Sequence, residues 1–379
     1  MRRQGSVSRR NLLKGAVAGA AGAVFVPACG NSGSGAPGAD SASKSATGIS
    51  VEDQRGKTIT LDHPARRVVT LPMPAAAMLI AVDRGADHLV GMHKFSWVAI
   101  RDGILGDFFP KAENIAHGIA GQNFTPNVES IVGLNPDVVV QWGDEGAGII
   151  APMENAGLKV VGLTYGTQQD VNTWITLFGT LLGKKDRADA INGRTSKQLD
   201  EIKAAAAKAS GPKPKIIYFN RFKGGLKAAG KGSYNDFYIR LVGGENAAAQ
   251  LTGLASVDIE QVLTWDPDVV LLGNFDDTVP DDVYGDKVWS DVSAVKSKRV
   301  YKVPLGGYRW DPPSQESPLM WRWLFGLAHP QAKPYDLRGQ VTSYYNFLYG
   351  HEPSDKQLDK VLWMDLNAKS SAYRQFHAG

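Results

Sequence analysis

Eight side chains are placed to hold a solute without reacting with it: Met73, Trp97, Asn123, Trp142, Arg221, Tyr234, Arg309 and Trp310. Most end or follow closely an apolar run of the kind that forms a buried strand; Asn123 instead precedes Glu129, and Tyr234 opens a helix beyond a glycine-rich loop. Arginine offers permanently charged, bidentate donors to carboxylates and oxyanions, and tryptophan offers area and a stacking face. Together they suit capture of a bulky ligand with flat or greasy parts and anionic groups, although any one of the tryptophans would serve lobe packing equally well. Reactive chemistry has no comparable footing. The sequence contains no phosphate-cradling loop, nucleophile elbow or His-Glu-x-x-His helix. Gly224-Gly225 and residues 230–232 are spaced wrongly for a P-loop and read as a loop at a cleft rim. No two histidines stand four apart, so no directly bound metal and no resident cofactor are expected. Met73, His93 or Tyr234 could each serve haem as an axial ligand.

The elements that must position these residues are short apolar strands at 68–71, 89–92, 138–142, 160–163, 216–219, 269–272 and 300–303, separated by helical or loop stretches. Strands alternating with helices give α/β lobes with parallel sheets covered on both faces. In such lobes ligands bind beyond the carboxyl ends of the strands. Between the two groups of strands, residues 171–210 have no proline and an Ala- and Lys-rich tail. A single unbroken helix there would extend roughly 60 Å, kinked at Gly193 and ended by Gly211-Pro212. It would make a stiff hinge.

A repeat at an offset of 131 residues ties the halves together. Val128-Glu129-Ser130-Ile131-Val132 leads through Asn135-Pro136-Asp137 into Val138-Val139-Val140; Ile259-Glu260-Gln261-Val262-Leu263 leads through Asp266-Pro267-Asp268 into Val269-Val270-Leu271. Each block reads as a short helix, stopped before its proline, that feeds a buried parallel strand. A carboxylate in the first helical turn is favoured by the helix dipole. Two separated carboxylates can also steer and register a basic partner.

The amino-terminal segment carries its own message. Arg9-Arg10 followed by Leu12-Leu13 opens residues 1–28, an uncharged run from 15 to 28 follows, and Cys29 is the only cysteine of the 379 residues. This is the pattern of an export signal, too short to span about 30 Å of hydrocarbon. It is similar to a twin-arginine lipoprotein signal, with Cys29 as the acylated residue and an ordinary general-secretion route as the alternative. Residues 29–50 are almost wholly small and polar, a flexible tether. The formal charge of +4 owes five cations to the signal, Arg2, Arg3, Arg9, Arg10 and Lys14, so the exported chain is close to −1 and a nucleic-acid partner is not expected.

The order of signal, lobe, long helix and lobe, with a Glu-x-x-x-x-x-x-Pro-Asp block in each lobe, resembles the helical-backbone (class III) periplasmic binding proteins. More narrowly it resembles those that bring ferric siderophores, haem or cobalamin to ABC importers. Gly307-Tyr308-Arg309-Trp310-Asp311-Pro312-Pro313-Ser314-Gln315-Glu316-Ser317-Pro318 and Leu327-Ala328-His329-Pro330 are similar to the late segment of iron-uptake members. The resemblance implies two Rossmann-like lobes with parallel sheets joined by one long helix: residues 51–168, the helix 169–211, and residues 212–379 with terminal helices. It implies a monomeric, non-enzymatic lipoprotein on the outer face of the cytoplasmic membrane. Its ligand would be a ferric chelate, an iron-siderophore above haem, cobalamin or a molybdate-type oxyanion clamped by Arg221 and Arg309. Its partners would be permease subunits, docked by Glu129 and Glu260. The rival is a secreted α/β enzyme, which would need an acid, a base and a nucleophile converging in the cleft. Replacing Cys29 with Ser should move the protein from the membrane fraction to the soluble exported fraction; a variant that still sediments with membranes would refute acylation at Cys29.

Overall fold

In a computed structural model, residues 48–332 and 336–377 are described; the signal, Cys29 and nearly all of the tether lie outside them. The β-branched runs do what their composition demands and bury both faces. Strands β1 (Ile49–Glu52) and β2 (Thr58–Leu61) form an antiparallel hairpin. Strands β3 (Val68–Thr70), β4 (Leu89–Met92), β5 (Val138–Trp142) and β6 (Val160–Leu163) form a wholly parallel sheet in the order β4-β3-β5-β6. Val68, Val69, Val138, Val139, Val140 and Val161 are without solvent exposure, as parallel strands covered by helices require.

The second sheet departs from expectation. Strands β7 (Lys215–Arg221), β8 (Lys227–Ala229), β9 (Glu245–Asn246), β10 (Leu254–Ser256), β11 (Val269–Leu272) and β12 (Val300–Lys302) run in the order β10-β8-β7-β11-β12, with β9 also paired to β7. The pairings of β7 with β11 and of β11 with β12 are parallel, but β8 is antiparallel to both β7 and β10. The cause is Gly224-Gly225, both at positive φ, which turn the chain straight back after β7. So short a connection can join only antiparallel neighbours.

The repeat has a structural meaning. Asn135 and Asp266, the residues before each proline, both adopt the left-handed conformation, at φ 45° and 43°, a region that Asn and Asp tolerate best among residues with a Cβ. The next carboxylate then ties down the neighbouring strand. Asp137 accepts from the Arg66 and Arg67 amides at 2.7 and 2.9 Å just before β3, and Asp268 accepts from the Lys215 amide at 2.8 Å at the start of β7. Each Pro-Asp therefore fixes the start of a central strand beside the one it feeds.

The expected single long helix is instead a helical hairpin. Helix Gln168–Leu181 ends at Leu182, Gly183 takes a positive φ of 67°, and helix Lys185–Lys208 runs back along the first and continues through Gly193 without interruption. The Asn192 side-chain amide donates to the Asn172 carbonyl at 3.1 Å, which shows the antiparallel packing. A Cβ at Gly179 would collide with Ala188, so the close crossing depends on that glycine. The linking helix is thus 24 residues, about 36 Å long. It is not the sole tie between lobes. The Ile104 amide donates to the Gly306 carbonyl at 3.0 Å, and Arg84 Nη2 of the first lobe donates to the Asn346 carbonyl of the second at 3.1 Å. One apolar core joins the first sheet to one face of the second, and a separate core with Ile217, Phe219, Val270 and Leu272 lies on the second sheet's other face.

Candidate functional site

In lobes of this kind solutes bind beyond the carboxyl ends of the parallel strands, so the residues just after each strand form the candidate site. On the first lobe, Leu71-Pro72-Met73 follows β3, and the Met73 carbonyl accepts from the Ser96 hydroxyl at 2.9 Å. His93 follows β4 and caps helix Lys94–Asp102, accepting from the Phe95 amide at 3.1 Å through Nδ1 while Nε2 meets the Gly121 carbonyl at 3.0 Å. Those two contacts assign the proton to Nε2 and use both nitrogens; burial pushes the His93 pKa down, so the ring is neutral. Trp142, the last residue of β5, packs edge-on to Phe124 at 5.5 Å and lies 5.8 Å from both Tyr165 and Trp174. It is 8% exposed, and its Nε1 is buried with no hydrogen-bond partner.

On the second lobe, Arg309 lies beyond the ends of β11 and β12. Its Nε donates to the Asn274 carbonyl at 3.1 Å, and its guanidinium stands 5.2 Å from the Phe275 ring and 5.6 Å from the Tyr308 ring. Nη1 is buried without a partner. The support beneath it is dense. Asp311, fully buried, accepts from the Tyr218 hydroxyl at 2.6 Å and from the Asn274 amide and side chain at 3.1 and 3.2 Å. Lys302, also buried, donates to the Gly273 and Asp276 carbonyls, both at 2.8 Å. Desolvation pulls the Lys302 pKa down, and Asp311 and Asp276 oppose it.

A second buried carboxylate holds the other side of Arg309. Glu316 is without solvent exposure and accepts from the Gly307 amide at 2.9 Å, Trp310 Nε1 at 2.7 Å and the Tyr345 hydroxyl at 3.1 Å, with the Tyr349 hydroxyl on its Oε1. A Cβ at Gly306 would run into Glu316, Tyr345 and Trp310, so this glycine is required for the packing. The Tyr165 hydroxyl donates to the Pro313 carbonyl of the other lobe, and the Tyr234 hydroxyl donates to Gln168 Oε1 at 3.2 Å.

Of the eight residues picked from sequence, Trp142 and Arg309 each keep a buried donor without a hydrogen-bond partner. Tyr234 is buried and committed, since it also accepts from Trp321 Nε1 at 3.1 Å, and its engagement, with that of His93, removes two of the three haem ligands considered. Trp310 is corrected: it has no solvent exposure and is bound to Glu316, so no face is left for a ligand. Trp97 stacks on His117 at 4.2 Å, donates to the Glu113 carbonyl at 2.8 Å and carries Arg101 over its ring. Met73 is half-buried against the core. Asn123 is exposed, its Oδ1 turned to the Thr125 amide at 3.4 Å, and Arg221 is exposed at the end of β7. Tyr165 and Asn274 were missed, though both follow predicted strands; Asp311 and Glu316 carry no positional signal until the fold surrounds them. Among the described residues no three His, Cys, Asp or Glu side chains gather to hold a metal, and no helix is long and apolar enough to cross a membrane.

The repeat acids stand apart from the cleft chemistry. Glu129 lies in helix Val128–Gly133, capped by Asn127 at 3.1 Å from the Ser130 amide; Glu260 lies in helix Ile259–Trp265, capped by Asp258 at 2.8 Å from the Gln261 amide. Both carboxylates are exposed.

A family model for periplasmic binding proteins matches residues 119–305. A periplasmic solute-binding protein from Veillonella parvula is 33% identical, with 85% of this chain and 98% of that one covered at a TM-score of 0.78. This chain belongs to the periplasmic binding protein family. The molybdate-binding protein MolA of Haemophilus influenzae is 24% identical over 79% of this chain and 90% of its own. The iron(3+)-hydroxamate-binding protein FhuD of Bacillus subtilis is 26% identical over 77% and 90%. As a periplasmic binding protein the chain works outside the cytoplasm, captures a solute and delivers it to the membrane permease of an ABC importer; it is not an enzyme.

The Glu316 carboxyl has its pKa pushed up to about 7, mainly by burial, against the pull of its hydrogen-bond donors. A raised carboxyl pKa favours the fold below the ordinary value of 4.5 and loses that contribution as pH rises through about 7. Relative to Glu316→Gln, the wild-type protein should therefore lose stability on the order of 3 kcal/mol between pH 4.5 and above 7, read by urea unfolding at each pH. A difference between the two proteins that does not change with pH would contradict the buried titration.

Proposed function

We propose that the captured solute is a small oxyanion of the molybdate type, held at the cleft by Arg309. The observation that carries this reading is the unpaired, buried Nη1 of that arginine. An unmatched donor out of water costs free energy that an anionic oxygen would recover. Trp142 Nε1 adds an unpaired donor from the other lobe. The likeness to MolA, over nine-tenths of that protein, points the same way.

The ferric siderophore expected from sequence is the second reading, favoured by the likeness to FhuD. It asks for a broad aromatic platform, and that support has weakened, because Trp310 is packed away and Trp142 is enclosed by Phe124, Tyr165 and Trp174. In both readings the protein is exported by its amino-terminal signal, anchored through Cys29, monomeric, and docked to its permease by Glu129 and Glu260.

Isothermal titration of the exported chain carrying Cys29→Ser separates the readings, with molybdate, a ferric hydroxamate, haem and cobalamin as probes. Saturable molybdate binding is expected, weakened by about 1–3 kcal/mol in Arg309→Ala, the scale of a hydrogen bond to a charged group. Binding of the ferric hydroxamate alone would establish the second reading, and an unchanged Kd in Arg309→Ala would remove that residue from the site.

A further inference from the structure

The two docking helices share more than their acids. Among the described residues the large apolar side chains left exposed are Phe95, Val132, Leu254, Leu263 and Val288. Val132 and Leu263 are 131 residues apart, the offset of the repeat, and are 46% and 38% exposed. Single exposed apolar residues are ordinary, but the same exposure at the same repeat position in two lobes is not scatter. The neighbours agree: Ile131 and Val262, one residue earlier, are both fully buried, and the left-handed Asn135 and Asp266 follow at equal distance. Each helix is thus rotated alike on its own lobe. Each shows Glu at one position and an aliphatic side chain three residues later, which places both on one helical face.

We propose that Glu129 with Val132, and Glu260 with Leu263, form two equivalent docking patches. Each seats on a permease site that presents a cation beside an apolar socket. The proposal rests on the docking role assigned above and extends it. Neither carboxylate has an ion-pair partner within the described residues, and an exposed ion pair in water contributes little by itself. An apolar neighbour that is covered on contact excludes water around the pair and adds affinity of its own.

The test measures binding of the exported chain to its permease–ATPase complex in nanodiscs at low and high ionic strength. The Val132→Ser, Leu263→Ser double variant should bind about tenfold or more weakly at both salt concentrations, with its salt dependence unchanged. The Glu129→Gln, Glu260→Gln double variant should lose affinity chiefly at low salt, flattening the dependence. Val132→Leu with Leu263→Val should bind as the wild type does. Solute affinity should be unchanged in all three variants, which also reports that they fold. Wild-type docking by the Ser double variant, with docking lost in the Gln double variant, would overturn the apolar patches and leave the acids standing. Wild-type docking by both would end the docking role of these helices altogether.

Discussion

A half-buried guanidinium with an unmatched donor is unstable unless its surroundings hold it there, and the loops after β11 and β12 hold Arg309. One nitrogen is fixed by the Asn274 carbonyl, and the rings of Phe275 and Tyr308 flank the ion. Asn274 is itself fixed, through its amide and side chain, by Asp311. Asp311 is completed by Tyr218 from the middle of β7, and buried Lys302 grips the carbonyls on either side of Asn274 and Phe275. The result is a preformed donor whose ordering cost has already been met on folding, the condition under which a single contact can dominate affinity.

Glu316 serves the same loop from the opposite side and links it to the whole molecule. By accepting from Gly307 and Trp310 it fixes the segment that brackets Arg309, and by accepting from Tyr345 and Tyr349 it ties that segment to helix Leu337–Tyr349. Gly306 in the same turn takes the Ile104 amide of the first lobe. The lobes therefore meet through a buried polar network and a shared apolar core as well as the helical hairpin.

Much of this was legible beforehand, for identifiable reasons. Seven apolar runs were placed as strands, and β4, β5, β6 and β11 match residue for residue because a doubly covered parallel strand leaves an unbroken β-branched signature. The repeat placed two helices and two strands at once. Hairpin β1–β2 escaped because its turn, Asp53-Gln54-Arg55-Gly56-Lys57, is polar and its anchorage is remote: Asp53 accepts from the Gly162 amide and Arg55 reaches the Val160 carbonyl, both at 2.8 Å. The break at Gly183 was read as continuous helix because one glycine in a helical pattern is ambiguous, and Gly193, equally suspect, stays helical. Trp310 misled for a related reason. Indole suits a cleft wall and a core equally, and only the Glu316 acceptor, six residues on, decides between them.

We propose that Arg309 marks an anion site preformed between the lobes. Crystals of the exported chain soaked in tungstate, a heavy oxyanion of the same shape as molybdate, test it most directly through anomalous scattering. A strong peak is expected within hydrogen-bonding reach of Arg309 Nη1, lost in crystals of Arg309→Ala. Density for the anion elsewhere in the cleft, with Arg309 Nη1 still unpaired, would contradict it.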